Sequence, residues 1–325
     1  MSVLVFADQH EGKIRKGALE AVSYGSKLAA QLGVECTAVV LGSVAAEALS
    51  GLGNYGAPRV LHADNPLLDQ MNPDVYARVI RTLADQQKAT VIVFSHNFNG
   101  KAIAPVVAAS LNAGWVAGAL ALPDTGEGFV VKKSVFSGKA FAYVQISSPV
   151  KIISVNPNSF PVVKEDHQAE VIPLDTAVNE GDFRIKIIST ETLSGDIPLP
   201  EADIIVSGGR GLKGPENWGM VEDLAKALGA ATACSRPVAD AGWRPHHEHV
   251  GQTGITVRPN LYIAIAISGA IQHLAGVNGS KYIVVINKDS EAPFFKAADY
   301  GVIGDAFEIV PRLTEAVKAY KVAQG

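Results

Sequence analysis

Residues 250–289 decide the fold of this chain, and they read VGQTGITVRPNLYIAIAISGAIQHLAGVNGSKYIVVINKD. Within them, residues 261–267 are a continuous apolar run rich in β-branched side chains, which is typical of a parallel strand buried on both faces. Ser268 and Gly269 break the run, and residues 270–274 then favour a helix start. Because the first amide groups of a helix have no partner within it, such a turn is a ready site for a pyrophosphate. The stretch therefore predicts a nucleotide site.

A second strand, turn and helix precede this stretch. The apolar strand ADIIVS is followed by GGRGLKG at residues 208–214, and an amphipathic helix begins near Glu216. The glycines at 209, 211 and 214 match the spacing of the dinucleotide fingerprint. The acidic residue that an NAD site needs about 20 residues later is missing, and Arg236 stands there instead. An NADP-binding oxidoreductase domain, with Arg236 on the 2′-phosphate, is therefore one interpretation.

Three motifs together resemble one known family. They are ISGAIQHLAG with VGQTG upstream and INKD downstream, SGGRG at residues 207–211, and CSRPVADAGW at residues 234–243. In order and spacing they resemble the flavin-binding domain of the electron transfer flavoprotein alpha subunit family, which is far more specific than a lone glycine motif. The first half of the chain resembles the family mainly in its pattern of elements.

The resemblance implies an α/β fold with two domains. The first, at residues 1–190, would be an amino-terminal α/β nucleotide-hydrolase-like domain that docks a beta subunit. The second, at residues 191–325, would be a Rossmann-like parallel-sheet FAD-binding domain. The implied function is that of an electron carrier in fatty acid β-oxidation, which passes electrons from flavin dehydrogenases through FAD to a quinone oxidoreductase or another acceptor. It would not be a catalyst on a small-molecule substrate.

The resemblance also implies which residues bind FAD. Arg210 would face the pyrophosphate or the flavin edge, and Ser235 and Arg236 would lie near the isoalloxazine ring, where a fixed cation raises the reduction potential. His273 would donate to the ring carbonyl on its pyrimidine side. The remaining implied contacts are Gln252 and Thr253 at the polar edge of the ring, Ser268, Gly269, Ala270, Ile271 and Gln272 around the pyrophosphate turn, and Asn287 and Asp305 at the adenosine end.

One position departs from the family pattern. His249 stands where the family commonly has glutamine, so its predicted flavin contact rests on position alone. With His246, His247 and Glu248 it also suggests a metal site, but consecutive histidines in a loop point apart, and we predict no metal. We also predict no catalytic residues, because no nucleophile, base or carboxylate pair lies in a recognisable motif.

Composition limits the remaining possibilities. A chain of 325 residues with 48% hydrophobic residues is long enough for two cores, and its net charge of −4 gives no general attraction for nucleic acid. Cys36 and Cys234 are too few for a disulfide framework, and residues 2–7 predict a strand, so no leader segment is expected. A cytoplasmic location is the expectation. No apolar run approaches the ~20 residues of a membrane span, so no membrane insertion is expected.

Charged residues make up 18% of the chain, below the ~25% usual for soluble proteins. This favours an obligate partner, which the resemblance implies to be the beta subunit of a heterodimer. A nucleotide-binding regulatory or scaffold protein is a third interpretation.

The first half alternates strands and helices, as in a parallel α/β sheet. Helices are predicted at residues 16–32 with Gly33 as the stop, from a start at Asn72, Pro73 and Asp74, and from about Lys101. Its loops at residues 7–12 and 95–100 contain polar side chains but no phosphate-binding lysine or paired acids, so we interpret them as solvated turns. Residues 129–147 and 150–155 predict antiparallel strands. The domain boundary is predicted at residues 191–200, where TLSGDIPLP interrupts the apolar runs.

Overall fold

The structure is a computed structural model that describes residues 1–190 and 198–324. Two compact units are present, one built mainly from residues 1–190 and the other mainly from residues 198–324. Most of the segment predicted as the domain boundary, residues 191–197, lies outside the described residues.

The first unit alternates strands and helices, which confirms the predicted α/β class. Its helices are α1 (Lys16–Leu32), α2 (Ala46–Ser50), α3 (Pro73–Gln86) and α4 (Phe98–Leu111). Its strands are β1 (Ser2–Phe6), β2 (Gln9–His10), β3 (Lys13–Ile14), β4 (Glu35–Leu41), β5 (Arg59–Ala63), β6 (Ala89–Ser95), β7 (Gly114–Ala119), β8 (Val130–Val135), β9 (Ala140–Gln145), β10 (Lys151–Val155) and β11 (Glu170–Pro173).

In the described part of this unit, nine strands form one sheet in the order β11-β5-β4-β1-β6-β10-β7-β8-β9. Pairing is parallel from β11 to β7 and antiparallel at β8 and β9. Strand β1 lies near the middle and is buried along its whole length. Val3 and Val5 face a core that includes α1, whereas Leu4 and Phe6 face a core that includes α3 and α4. Burial on both faces is why the strand sequence is continuously apolar.

One strand prediction was wrong. Residues 150–155 were expected to form an antiparallel strand, but β10 runs parallel between β6 and β7. Ile152 and Ile153 are both fully buried, on opposite faces of the sheet. This is the burial of a central parallel strand, whereas β9 at the end of the sheet alternates between half-buried and exposed residues, as an edge strand does.

Helix ends follow local capping. Helix α1 matches its predicted bounds and ends at Gly33, which adopts a left-handed conformation. The Asn72 side chain accepts from the Val75 amide at the start of α3, as its position before a proline predicted. Helix α4 begins three residues before the expected Lys101, because the Asn97 side chain accepts from the Gly100 amide and caps it there.

The second unit is a smaller α/β layer. Its helices are α5 (Gly219–Leu228), α6 (Arg236–Asp240), α7 (Ile271–Val277) and α8 (Ala306–Gln324). Its strands are β12 (Ile204–Gly208), β13 (Ala231–Cys234), β14 (Leu261–Ile265), β15 (Tyr282–Asn287) and β16 (Tyr300–Ile303). In the described residues these five strands form a parallel sheet in the order β13-β12-β14-β15-β16.

Strand β14 ends two residues earlier than expected. Ala266 adopts a positive φ of 53°, which turns the chain out of the strand direction. Ile267 then packs into the core with Tyr262 and Phe294. Positive φ is rare for alanine, and such residues concentrate at functional sites.

In the described part of the chain, no helix combines the length and apolar character needed to cross a membrane.

Candidate functional site

A cavity of about 590 Å³ opens where β12, β13, β14 and β15 end. Carboxyl ends of parallel strands meet at one edge of the sheet, where α/β proteins usually bind ligands. The volume lies within the ~300–1,000 Å³ typical of small-molecule sites. The cavity is lined by most of the residues that the sequence predicted: Arg210, Ser235, Arg236, His249, Gln252, Thr253, Ser268, Ala270, Gln272, His273 and Asn287.

Three predicted residues do not line this cavity. Gly269 is buried with a φ of +83°, and a Cβ there would lie 2.5 Å from the Phe294 nitrogen, so packing against Phe294 requires the glycine. Ile271 starts α7 with its side chain exposed to solvent. Asp305 is exposed, and its carboxylate accepts from the Phe307 amide at the start of α8. Their cofactor contacts remain predictions.

The cavity also has lining residues that sequence reasoning did not select. They are Gly211, Pro237, Val250, Gly251, Ala266, Ile267 and Asp289. Asp289 could have been found, because it is a polar residue just after strand β15, at the sheet edge where ligands bind. Ala266 carries no such signal, since nothing in its residue type predicts a left-handed conformation.

Arg210 follows the end of β12 and begins a short 3₁₀ turn, Arg210–Leu212. The glycines on either side of Arg210 let the backbone pass close to Ala266. A Cβ on Gly209 would lie 2.2 Å from the Ala266 carbonyl oxygen. The same oxygen accepts a hydrogen bond from the Gly211 amide at 3.3 Å. Arg210 itself is exposed and has no ion-pair partner among the described residues. Its charge is therefore available to an anion.

The NADP interpretation of the GxGxxG spacing is not supported by the local fold. In the fingerprint, the glycine turn leads directly into a helix whose amino end faces the pyrophosphate. Here two 3₁₀ turns, Arg210–Leu212 and Pro215–Asn217, come first, and α5 begins only at Gly219. The glycine spacing therefore lacks the strand-to-helix context of the fingerprint.

Ser235 and Arg236 join β13 to α6. The Ser235 amide donates to the Gly208 carbonyl at 3.1 Å, which holds this turn against the end of β12. Arg236 is the first residue of α6, and its Nε donates to the Asp240 carboxylate at 3.3 Å. The Arg236 side chain is 63% exposed, so its charge borders the cavity but is partly screened by water.

His249 lies against the VGQTG turn. Its side chain is buried, and a Cβ on Gly254 would lie 2.8 Å from Nδ1, so the absence of a side chain at Gly254 makes room for the imidazole. Burial lowers the pKa of His249, the Arg236 cation lowers it further, and Asp240 opposes this shift. We therefore expect a neutral imidazole at neutral pH.

His273 projects from α7 between Tyr262 and Phe294. Its Nε2 lies 2.9 Å from the Tyr262 hydroxyl, whereas its Nδ1 is buried and has no hydrogen bond of regular geometry. Burial lowers the pKa of His273 to about 4, and the neighbouring His249 adds to the shift. The ring is therefore neutral at neutral pH.

Asn287 and Ser268 hold the turn after β14. The Asn287 side chain donates to the Ile267 carbonyl at 3.0 Å, and its carbonyl oxygen accepts from the Asp289 amide at 3.1 Å. The Ser268 carbonyl accepts from the Phe294 amide. Asn287 thus has a structural role beside its predicted adenosine contact.

The histidines near the cavity do not form a metal centre. Across residues 1–190 and 198–324, no group of three or more His, Cys, Asp or Glu side chains is arranged to hold an ion. Cys234 is a free, fully buried thiol, and burial raises its pKa to about 12.

Comparison with known proteins places this fold in a family. A sequence model of the "Electron transfer flavoprotein domain" matches residues 3–179, and one of the "Electron transfer flavoprotein FAD-binding domain" matches residues 198–278. The second match includes most of the cavity, and it identifies FAD as the cofactor of this domain.

Curated relatives agree along the whole chain. The electron transfer flavoprotein subunit alpha of Thermoanaerobacterium thermosaccharolyticum is 39% identical over 324 residues, covering 98% of both chains. That of Bacillus subtilis is 37% identical over 322 residues, again covering 98% of both. The Mycobacterium tuberculosis subunit is 38% identical and covers 98% of this chain and 99% of its own. This chain therefore belongs to the electron transfer flavoprotein alpha subunit family.

Proposed function

We propose that this chain carries electrons through an FAD bound in the cavity at the ends of β12–β15. The proposal rests mainly on one observation: two arginines, Arg210 and Arg236, line the same cavity as the buried, neutral imidazole of His273. Cations stabilise the pyrophosphate and the reduced ring, and an uncharged polar group can orient the ring carbonyls without adding charge. No comparable set lines the other described cavities.

The residues present fit this cofactor. The cavity has ligand-sized volume, and it has an exposed arginine, Arg210, with no ion-pair partner in the described chain. A free guanidinium in a cavity of this size suits the pyrophosphate of a dinucleotide.

Each part of the cavity has a role towards the cofactor. Arg210 and the turn at Ser268 would hold the pyrophosphate, and Asn287 and Asp305 would hold the adenosine end. Because helix α7 has only seven residues, we assign the main electrostatic attraction for the pyrophosphate to Arg210 rather than to a helix dipole. Gln252, Thr253 and His273 would orient the ring, and Arg236 would favour its reduced form. When bound, the flavin supplies reversible electron transfer, which the protein tunes.

We infer a carrier rather than a catalyst on a small molecule. The cavity contains no cysteine thiol, and the nearby Cys234 has its pKa raised by burial, so it is a poor nucleophile at neutral pH. The proposed donors are flavin dehydrogenases, including those of fatty acid β-oxidation, and the proposed acceptor is a quinone oxidoreductase or a similar flavoprotein. The proposed location is the cytoplasm.

We further propose that the two domains divide at residues 190/191. Alpha subunits of this family pair with a beta subunit, and here the amino-terminal domain would dock that subunit while the carboxy-terminal domain holds FAD. Support comes from the low charged fraction of 18% and from the absence of a metal-holding cluster among the described residues of the first domain.

The absorption spectrum of the purified chain, coexpressed with its beta subunit, tests the proposal. We expect bands in the blue and near ultraviolet, and FAD released on denaturation in equal amount to the chain. Addition of a reduced flavin dehydrogenase should bleach the visible band. A colourless protein that binds NADPH would support the NADP interpretation instead, and a colourless protein that binds neither would favour a scaffold role.

A further inference from the structure

The ring nitrogens of His249 reach the cavity. In the described chain neither nitrogen makes a hydrogen bond, and neither belongs to the polar atoms that are both fully buried and unpartnered. Both nitrogens therefore keep accessible surface, although the residue as a whole is only 8% exposed. Because His249 lines this cavity and none of the other described ones, that surface faces the cavity. In His273, by contrast, Nδ1 is fully buried and Nε2 lies at the Tyr262 hydroxyl.

The main chain, and not the imidazole, fixes this residue in place. The His249 carbonyl accepts from the Ile255 amide at 2.8 Å, and its amide donates to the His246 carbonyl at 3.1 Å. The next amide, that of Val250, donates to the Cys234 carbonyl of β13 at 3.1 Å. The ring is therefore held beside the cavity without engaging either nitrogen, and a proton can be added to it without breaking a hydrogen bond.

The protein around the ring keeps it neutral. Burial lowers the pKa of His249, the Arg236 cation and His246 lower it further, and Asp240 on α6 opposes the shift. The Asp240 carboxylate is paired with Arg236 at 3.3 Å, so only part of its charge acts on the imidazole. On α7, His273 is itself uncharged at neutral pH, because burial lowers its pKa to about 4. An unperturbed histidine titrates near pH 6.5, so His249 titrates below that value.

The other carboxylates near this segment do not stabilise a charged imidazole. Glu248 faces the opposite side of the segment, where it lines a separate cavity and accepts from the Arg244 Nε at 2.9 Å. Asp289 lines the same cavity as His249, but it follows β15, which lies three strand spacings from β13 in the sheet. At about 4.8 Å per spacing this is roughly 14 Å. A negative charge close to the ring must therefore come from a ligand in the cavity.

We propose that His249 is a redox-linked proton site, which takes up one proton when the flavin in this cavity is reduced. This rests on the proposed placement of FAD in the cavity. A reduced flavoprotein donor supplies two electrons, which with one proton from water leave the flavin ring with one negative charge. A second proton from water goes to the bare nitrogen of the His249 imidazole, and the cation so formed balances that charge. Every neutral imidazole has one bare nitrogen, so the step does not depend on the tautomer.

Proton uptake at His249 is confined to a pH window. Below the pKa of His249 beside oxidised flavin, the imidazole is already charged, and above its pKa beside reduced flavin it stays neutral. Between these two values, reduction consumes one extra proton. Each proton changes the equilibrium constant tenfold per pH unit, which is about 30 mV for a two-electron couple. The protein lowers the pKa of His249, so the window opens below pH ~6.5, and the reduced ring extends it upwards.

The test measures the charge of the imidazole and the potential of the flavin separately. Nitrogen NMR of ¹⁵N-histidine-labelled protein, in the complex with the beta subunit, gives the pKa of His249 without FAD, with oxidised FAD and with dithionite-reduced FAD. His249→Gln assigns the signals by their loss. We expect the highest pKa in the reduced complex. In potentiometric titrations from pH 5 to 8, the wild-type potential should fall more steeply with pH than that of His249→Gln, by up to about 30 mV per pH unit.

His247→Gln is the matched control, because His247 is exposed and does not line this cavity, and its potentials should follow those of the wild type. Equal pH slopes in wild type and His249→Gln, or one pKa for His249 with oxidised and reduced FAD, would overturn the proposal. Oxidised FAD that binds without moving the His249 signals would also reject the flavin placement, whereas a shift on binding without proton uptake on reduction rejects the proton site alone. Should His249→Gln fail to fold, sequential assignment of the wild-type spectrum identifies the ring, and its two pKa values decide.

Discussion

Arg236 shows how one residue at the cavity edge can set the redox behaviour of a cofactor. Its guanidinium borders the cavity and is paired with Asp240 at 3.3 Å. Two unit charges 4 Å apart interact by about 4 kcal/mol at an effective dielectric constant of ~20. Exposure to water and the Asp240 carboxylate both reduce this field, so the effect on the flavin should be about 1 kcal/mol.

We expect Arg236→Ala to retain FAD but lower its one-electron reduction potential by roughly 40 mV, because the reduced, anionic ring loses a cation. Asp240→Asn is the matched variant of opposite sign, since it frees the arginine from its partner and should raise the potential. Potentiometric titration of both variants decides the matter. If neither potential moves, Arg236 does not act on the ring.

Two histidines, the half-buried His96 and the buried His273, make stability depend on pH. Burial lowers the pKa of His96 in the first unit to about 4, with Lys101 and Lys133 adding to the shift, and His273 in the second unit is similar. Unfolded histidine takes up a proton near pH 6.5. Between pH ~6.5 and ~4 the unfolded state binds more protons than the folded state, so stability falls as pH falls and is fully present above pH ~6.5.

Each histidine should contribute on the order of 3 kcal/mol to this loss. Measured as urea midpoints between pH 4 and 7, His96→Gln should flatten the dependence of the first unit relative to wild type. His167→Gln is the control, because His167 is exposed. Parallel pH profiles for wild type and His96→Gln would show that His96 is not the group that titrates.

Sequence reasoning works at the residue scale where a residue type has one strong local preference. Gly33 as a helix end and Asn72 as a cap were both predictable for that reason. Ala266 was not, because its positive φ is imposed by contacts at Gly209 and Gly211 that join distant parts of the chain. The predicted strand was consequently too long by two residues.

At the scale of elements, the VGQTG turn and α7 form one unit. A Cβ on Gly276 would lie 2.5 Å from the Gly251 Cα, so backbone packs on backbone. The amides of Gln252 and Val257 donate to carbonyls of α7, at Gln272 and Gly276. The positions of Gln252, Thr253 and His273 in the cavity are thereby coupled.

We expect Gly276→Ala to separate the turn from α7 and weaken FAD binding by tenfold or more, although alanine favours helices. Gly219→Ala in α5 is the control, because a Cβ there meets no atom within 4 Å, and it should leave FAD binding unchanged while stabilising the helix by up to about 1 kcal/mol. Equilibrium titration of apoprotein with FAD measures both. Equal affinities would show that the contact is not needed for the site.

Strand direction marks the limit of sequence reasoning at this scale. Residues 150–155 follow an antiparallel hairpin and were predicted to be antiparallel as well, yet β10 inserts in parallel between β6 and β7. Its apolar run fits any doubly buried strand, so only long-range pairing decides its direction. The turn at residues 268–270 was easier to predict, because a polar break between two apolar segments can be recognised from the local sequence alone.

At the scale of the whole molecule, both sheets end on edges with exposed large side chains. In β16, every residue is exposed, with Tyr300 at 63% and Ile303 at 64%. In β9, Phe141 and Tyr143 are 56% and 68% exposed. Exposed apolar edges invite association with another chain, and natural proteins usually protect them. Together with the low charged fraction, they indicate that a partner completes the folded protein.

We therefore expect the chain expressed alone to self-associate and to retain FAD poorly, and coexpression with its beta subunit to give a stable one-to-one complex. An obligate interface buries on the order of 2,000 Å² or more and is depleted in charge at its centre, which would account for a surface with few charged residues. Size-exclusion chromatography with light scattering measures both states. Self-association of the lone chain should persist at high salt, because apolar contacts are not screened as ion pairs are. A monodisperse, fully flavinylated monomer that accepts electrons from a dehydrogenase unaided would contradict the requirement for a partner.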